Sequence, residues 1–333
     1  MQSMHGSGRR LIIGMVAAVA AGLLSVAQTV QAQQAWPAKP VRVVVPFPPG
    51  GSTDIFARQL SRKLSDSLGQ QFVVDNRAGA NGSLGAAQVV SSAPDGHTIL
   101  FSTTGPLSLN KLMYKSTPYD PVKDFAHIIL LADAPMLISA HPSMPFNNIP
   151  QLVAYLKANP GKLSYSTGGN GSMGHLSAEL MERATGTSMV HVPYKGSAPA
   201  MTDLVAGVVN LSFDIAPTYL AQVKSGKVKA IGILGSVRTP VLPEVATLAE
   251  AGIPAYATAW YGLVGPVGMS AAVVDKINAV ANEFLASTEG KQQLLELGLR
   301  PIGGKPADLA KFVISEMAKW KPITDPLASI MVE

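Results

Sequence analysis

The chain contains no cysteine. That removes disulfides, cysteine-ligated zinc, iron–sulfur clusters, cysteine nucleophiles and a lipid-modified cysteine together. Charge is sparse, at 14% of residues, and aromatic residues make up 6%. Lys and Arg exceed Asp and Glu by 26 − 21 = 5, with no basic run of the kind that nucleic-acid binders concentrate. Catalytic signatures are thin. No His-Glu-x-x-His pair is present, and the six histidines show no metal-ligand spacing. Ser172 misses the Gly-x-Ser-x-Gly elbow because position 170 is Asn. Ser108-x-x-Lys111 matches a penicillin-binding-type motif, but the accompanying Ser-Asp-Asn element is absent. The expectation is a protein that is not an enzyme and has no cofactor, no metal and no nucleic-acid partner.

What remains is a chain of 333 residues, 47% hydrophobic, with 31 Gly and 25 Pro. It is long enough for two ordinary domains with a sizeable core. Its N-terminus reads as an address. Arg9 and Arg10 precede an apolar run over residues 11–27, and Val30, Gln31 and Ala32 supply a signal-peptidase site. At about 17 residues the run is at the short limit for a membrane span, so a signal peptide over residues 1–32 is preferred to an anchor. No later segment is long and apolar enough to cross a bilayer. The mature chain then starts at Gln33 and keeps 333 − 32 = 301 residues, with a charge of 5 − 2 = +3. A leader without a lipidation cysteine implies a soluble exported protein, periplasmic in a two-membrane bacterium.

Along the mature chain, short β-rich runs alternate with helical patterns. Residues 41–45 read as a buried strand, and residues 52–68 as a helix with Ile55, Phe56, Leu60, Leu64 and Leu68 at helical spacing. Gly69 supplies the C-cap. Strands at 72–75 and 98–101 flank a helix at 83–91. The theme restarts with helices at 152–158, 175–184 and 201–206 and strands at 163–166, 190–192, 211–213 and 229–233. Helices at 271–285 and 306–320 close the chain. This alternation predicts an α/β fold with a parallel sheet. With no flexible linker, the chain is expected to cross between two lobes near 134–140 and 255–266. Residues 33–137 plus 258–333 would form lobe 1, and 138–257 lobe 2.

Three glycine-rich loops open helices: Pro49-Gly-Gly-Ser-Thr53, Gly79-Ala-Asn-Gly-Ser83 and Gly168-Gly-Asn-Gly-Ser172. Asn81-Gly-Ser-Leu-Gly85 and Asn170-Gly-Ser-Met-Gly174 share four of five residues, one in each expected lobe. A helix start offers unpaired N–H groups and the positive end of the dipole, which bind carboxylates without Arg or Lys. The other reading is that each loop only caps its own helix. Asp54 is either a dipole-stabilising carboxylate or a ligand contact, and Asp214 either a turn residue or a contact at a strand end. His175 is structural or an anion donor, and Phe47 is core or a wall of the pocket. Gly169-x-Gly171-x-x-Gly174 also fits a dinucleotide fingerprint, but the strand at 190–192 ends without the acidic residue that holds a ribose.

Several ordered segments share one likeness. Lys39-Pro-Val-Arg-Val-Val-Val-Pro-Phe-Pro-Pro-Gly-Gly-Ser-Thr-Asp54 resembles the first strand and loop of the Bug (Bordetella uptake gene) receptors, the solute-binding proteins of tripartite tricarboxylate transporters. Val73-Val-Asp-Asn-Arg-Ala-Gly-Ala-Asn-Gly82 is similar to the family's second glycine-rich loop. Pro94-Asp-Gly-His-Thr-Ile-Leu100, Tyr119-Asp-Pro121, Asp124-Phe125, Pro160-Gly-Lys-Leu-Ser-Tyr-Ser166, Gly171-Ser-x-x-His-Leu176, His191-Val-Pro-Tyr-Lys-Gly196 and Trp260-x-Gly262 follow its pattern too. The resemblance covers essentially the whole mature chain. It implies a two-lobed periplasmic binding fold (type II-like, a Venus flytrap) that closes on a small organic carboxylate, acts as a monomer, and delivers to integral membrane permease subunits. It carries ligand contacts to Phe47, Gly50, Gly51, Asp54, Asn81, Gly82, Ser166, Gly168, Ser172 and His175, with Thr103 and Asp214 beside them. Asn81 and Asn170 stand where the family often has Gly or Ala. A sensor module for a signalling kinase and an exported serine hydrolase are the alternative functions.

Overall fold

The computed structural model describes residues 36–194 and 196–327. The expected signal peptide and cleavage site lie outside them. From Lys39 onward the chain forms one compact unit.

Strands β1 (Val41–Val45), β2 (Phe72–Asn76) and β3 (Thr98–Thr103) alternate with helices α1 (Ser52–Leu68) and α2 (Ser83–Val90). Val41, Val43, Val44 and Val45 are buried, so β1 reads as a continuous apolar run, as expected for a strand covered on both faces. Gly69 ends α1 in the left-handed conformation (φ 72°), its N–H bonded to Ser65 O. A wide turn at Gly105–Leu109 leads into the short α3 (Asn110–Met113) and then the long strand β4 (Phe125–Ala140). The second half follows as α4 (Ile149–Ala158), β5 (Ser164–Thr167), α5 (Met173–Thr185), β6 (Val190–Pro193), α6 (Ser197–Val205), β7 (Leu211–Ile215), α7 (Ala216–Lys224) and β8 (Lys229–Ile233). Strand β9 (Thr258–Pro266), helices α8 (Ala271–Ala286) and α9 (Thr288–Glu296), the two-residue β10 (Arg300–Pro301) and α10 (Pro306–Leu327) complete the order.

The strands make one sheet in the order β2-β1-β3-β9-β4-β7-β5-β6, with β8 and β10 also pairing with β4. Both ends are parallel, β2-β1-β3 and β7-β5-β6, as the strand–helix alternation predicts. The middle corrects the wholly parallel expectation: β9 is antiparallel to β3 and β4, and β4 is antiparallel to β7 and β8. These strands carry the chain between the two halves, and a direct return needs no crossover helix. At roughly 3.3 Å per residue, a strand as long as β4 spans on the order of 50 Å, enough to serve both halves. It changes partners midway. Residues 125–135 pair with β9, and Met136–Ala140 pair with β7.

Each half has its own core. Val44, Leu100, Trp260 and Val264 belong to one, and Tyr165, Leu176, Met181 and Phe213 to the other. Helix α10 packs into both, through Leu309 and Val313 at its start and Trp320 and Ile323 further on. Among the described residues no helix is long and apolar enough to cross a membrane, and no group of three His, Asp or Glu is placed to hold a metal ion.

Candidate functional site

In open α/β sheets, ligand contacts gather beyond the carboxyl ends of parallel strands. Here β1, β2, β5, β6 and β7 each run through a short loop into a helix start.

The first loop is built around Asp54. Its Oδ2 accepts from Gly50 N (3.0 Å) and Arg58 Nε (3.0 Å), and its Oδ1 from Asn76 Nδ2 (3.0 Å). Asn76 Nδ2 also donates to Phe47 O (3.0 Å), and Arg58 donates to Asn76 Oδ1 (3.1 Å). Burial by itself would raise the Asp54 pKa. The hydrogen bonds from Arg58, Gly50 and Asn76, with the Arg58 charge, outweigh it and hold the group below its ordinary value. The carboxylate therefore fixes the path of residues 47–54, and both its oxygens are already engaged. Helix α1 starts at Gly51 without a side-chain cap, and its first internal bond is Ile55 N to Gly51 O. The N–H groups ahead of that bond are the helix's unpaired donors.

The second loop folds onto the first. Gly79, Ala80, Asn81 and Gly82 all have positive φ (139°, 46°, 50° and 86°). A Cβ on Gly82 would meet Pro106 at 2.6 Å and the Phe47 ring at 3.4 Å, so only glycine fits there. Asn81 is tied down by Asn110: its Nδ2 donates to Asn110 Oδ1 (3.1 Å), and Asn110 Nδ2 donates to Asn81 O (2.9 Å) and Ser83 Oγ (2.9 Å). Helix α2 also lacks a side-chain cap.

The third loop differs. Ser172 caps α5, accepting from His175 N (3.3 Å). The His175 ring turns inward, and its Nδ1 accepts from Gly171 N (3.1 Å). It stacks on His191 with centroids 4.0 Å apart and planes within 8°, and His191 stacks on Tyr165 at 4.9 Å. Burial lowers the His175 pKa. Burial, and then the adjacent His175, pull His191 down to about 4. His191 Nε2 meets Thr167 Oγ1 (2.7 Å), and that hydroxyl takes the N–H of Gly169 (3.2 Å). Two neutral imidazoles thus hold the loop from beneath. Ser166 is wholly buried in the sheet, its hydroxyl donating to Leu211 O (3.4 Å). Gly168 lies against the start of α6, 3.7 Å from Ser197 Oγ measured at its would-be Cβ.

Two residues that the sequence left without a role join these parts. Tyr261 on β9 is paired in register with Thr103, and its buried phenol meets Ser52 Oγ (3.2 Å) at the start of α1. Its pKa is raised by burial and, among lesser causes, by the Asp214 charge. Ser197 opens α6, which is uncapped, and offsets part of the effect of burial on Asp214. Phe47, Gly50, Gly51, Asn81, Gly82 and Thr103 thus lie on or beside the first two loops, and Gly168 and Asp214 on the second half. Ser166 and His175 support the site from within the fold. Tyr261 was findable in the Trp260-x-Gly262 motif, but an isolated tyrosine in an apolar run carries no mark of the serine it will meet.

Residues 56–328 match the model of the tripartite tricarboxylate transporter family receptor. Among solved structures, an R. palustris protein with adipate is 37% identical, with a TM-score of 0.77 over 87% of this chain and 97% of that one. The periplasmic binding protein BugD is 35% identical, with a TM-score of 0.74 over 90% and 100%. MatC from Rhodopseudomonas palustris with bound malate is 33% identical, with a TM-score of 0.74 over 87% and 100%.

Proposed function

The chain belongs to the family of tripartite tricarboxylate transporter receptors, and from that premise we propose that it is a periplasmic receptor which captures a small organic carboxylate for the membrane subunits of such a transporter. The fold is the two-lobed α/β binding-protein fold of BugD, and the family is a class of solute receptors, not of enzymes. Relatives solved with adipate and malate support a carboxylate as the ligand.

The observation that carries the reading is the first helix start. Asp54 fixes the loop from behind, and no side chain caps α1. The free N–H groups of its first turn are therefore held ready for an anion, next to the Ser52 and Tyr261 hydroxyls. Pre-set donors of this kind lose little freedom on binding. We assign the ligand contacts to Phe47, Gly50, Gly51, Asn81, Gly82, Thr103, Gly168 and Ser172, with Asp54, Ser166 and His175 acting through the shape of their loops. Of the described residues from Lys39 onward, 39–137 and 258–327 make one lobe and 138–194 with 196–257 the other, a division supported by the change of partners along β4. The ligand bridges the lobes and favours the closed form through contacts that only that form supplies.

The non-catalytic reading is supported by the two serines a hydrolase would use. Ser172 accepts a backbone N–H, and the buried Ser108 donates to Thr104 O (2.8 Å). The protein is exported by cleavage after Ala32, is not lipid-anchored and works as a monomer.

A thermal-shift screen against organic acids tests the function. A ligand at 100 times its Kd stabilises by about 2.7 kcal/mol, a readable shift. No response from any mono-, di- or tricarboxylate refutes the reading.

A further inference from the structure

Asp214, the last residue but one of β7, has one carboxylate oxygen that the described residues leave without a hydrogen-bond partner. It is only 9% exposed. Its Oδ1 accepts from Ile215 N (2.7 Å), while Oδ2 is buried with no hydrogen-bond partner among the described residues. Burial raises its pKa; hydrogen bonding from the Ser197 hydroxyl and the Ile215 amide offsets part of the rise, and no cation does so among the described residues. Among the described residues, the titratable groups that feel its charge are the phenols of Tyr219 and Tyr261. Tyr219 already shares a hydrogen bond with Ser212 Oγ (2.7 Å), and Tyr261 with Ser52 Oγ (3.2 Å). A buried carboxylate oxygen left without a donor is costly, and native proteins rarely keep one without a use.

The position of Asp214 gives it that use. Ser197 on its own half acts on it, and its charge is felt at Tyr261, which meets Ser52 at the uncapped start of α1. A ligand held by its carboxylate at α1 would present the rest of its body here. A second carboxylate directed at Oδ2 would be repelled, and a bare methylene would leave it unpaired. A hydroxyl or ammonium would complete it. Sites with a buried polar group discriminate most strongly against the analogue that lacks the matching group.

Resting on the receptor reading above, we propose that Asp214 accepts a hydrogen bond from a hydroxyl or ammonium on the bound acid, so that the receptor selects carboxylates carrying such a donor over those that carry none.

The test is calorimetric titration of the full mature chain with acids in matched trios. These are succinate, malate and aspartate; glutarate, 2-hydroxyglutarate and glutamate; and 3-phenylpropionate, phenyllactate and phenylalanine. In whichever trio binds, an acid with a donor is expected to bind at least tenfold more tightly than its donorless partner. Asp214→Ala should abolish that preference. Asp214→Asn keeps an acceptor oxygen but no charge, so it identifies the donor: a hydroxy acid keeps its advantage and an amino acid loses it. Donorless acids binding as tightly as their partners overturns the proposal and leaves the receptor reading standing, as does a preference that survives in Asp214→Ala. If the variants fail to fold, the wild-type trios decide. Binding of no acid at all overturns the receptor reading and the proposal with it.

Discussion

Replacing Asp54 by Asn removes one charge and hardly any volume, yet the hydrogen-bond pattern makes it a damaging change. All three of its partners are donors: Gly50 N, Arg58 Nε and Asn76 Nδ2. An asparagine offers one accepting oxygen and an NH₂. If the oxygen takes the Oδ2 position, the NH₂ faces the Asn76 amide donor. Turning Asn76 over would break its bonds to Phe47 O and from Arg58. The Arg58 side chain is half exposed, so its ion pair is worth under about 1 kcal/mol. The two other bonds to the carboxylate are worth about 1 kcal/mol each or slightly more. Asp54→Asn and Asp54→Ala should therefore each lower stability by about 2 kcal/mol. With an unfolding entropy of about 0.6 kcal/mol/K for a chain of this size, that is a fall of about 3 °C in Tm. Because the folded pKa of Asp54 lies below its ordinary value, its contribution is fully present above pH 4 or so and fades as pH falls through the folded pKa. The gap between wild type and Asp54→Asn, measured by thermal or urea melts from pH 7 down to pH 3, should narrow at the acid end. Ligand affinity should fall about tenfold in both variants, since the first loop loses its frame. An Asp54→Asn protein within about 0.5 kcal/mol of wild type, with unchanged affinity, would refute the reasoning.

Other perturbations probe separate parts of the site. Tyr261→Phe removes the partner of Ser52 Oγ and, at about 1 kcal/mol for one hydrogen bond, should weaken the tightest acid of the screen about fivefold by calorimetry while the fold persists. Gly174→Ala would place a Cβ 2.2 Å from Phe213 O; α5 must move off β7, and a melt should show a loss of about 2 kcal/mol or more. His175 supports the third loop only as neutral imidazole, and burial sets its folded pKa below the ordinary 6.5. Its contribution is complete above pH 6.5 and is lost as pH falls through the folded value. The stability gap between wild type and His175→Gln, followed by melts from pH 7.5 to 4.5, should narrow as pH falls.

Much of the fold was legible because it is local. The apolar run of β1, the helical spacing of α1 and the Gly69 cap appear in the sequence with almost the bounds observed. Strand β4 was not legible as one element. It is apolar throughout because both faces are covered, and such a run has no period by which to recognise it. The same holds for β9. Their antiparallel course follows from the chain passing between halves, which no local pattern encodes.

Within the site, the sequence by itself determined where helix starts and glycines fall. It thereby supplied the class of chemistry: neutral donors for an anion in a chain with no cysteine and little charge. Only the tertiary structure decided what each side chain does there. Asp54 and His175 each carried a structural reading beside a ligand one, and the fold engages both side chains within their own loops. Tyr261 and Asn76 looked ordinary, and one joins β9 to α1 while the other holds Asp54. Asp214 carried two equal readings, and the fold leaves one of its oxygens buried and unanswered. The reason is physical. Helix starts and turns are set by neighbours a few residues apart. The partner of a polar side chain is whichever group the sheet order brings against it, and here that group comes from as far as 209 residues away, as between Ser52 and Tyr261.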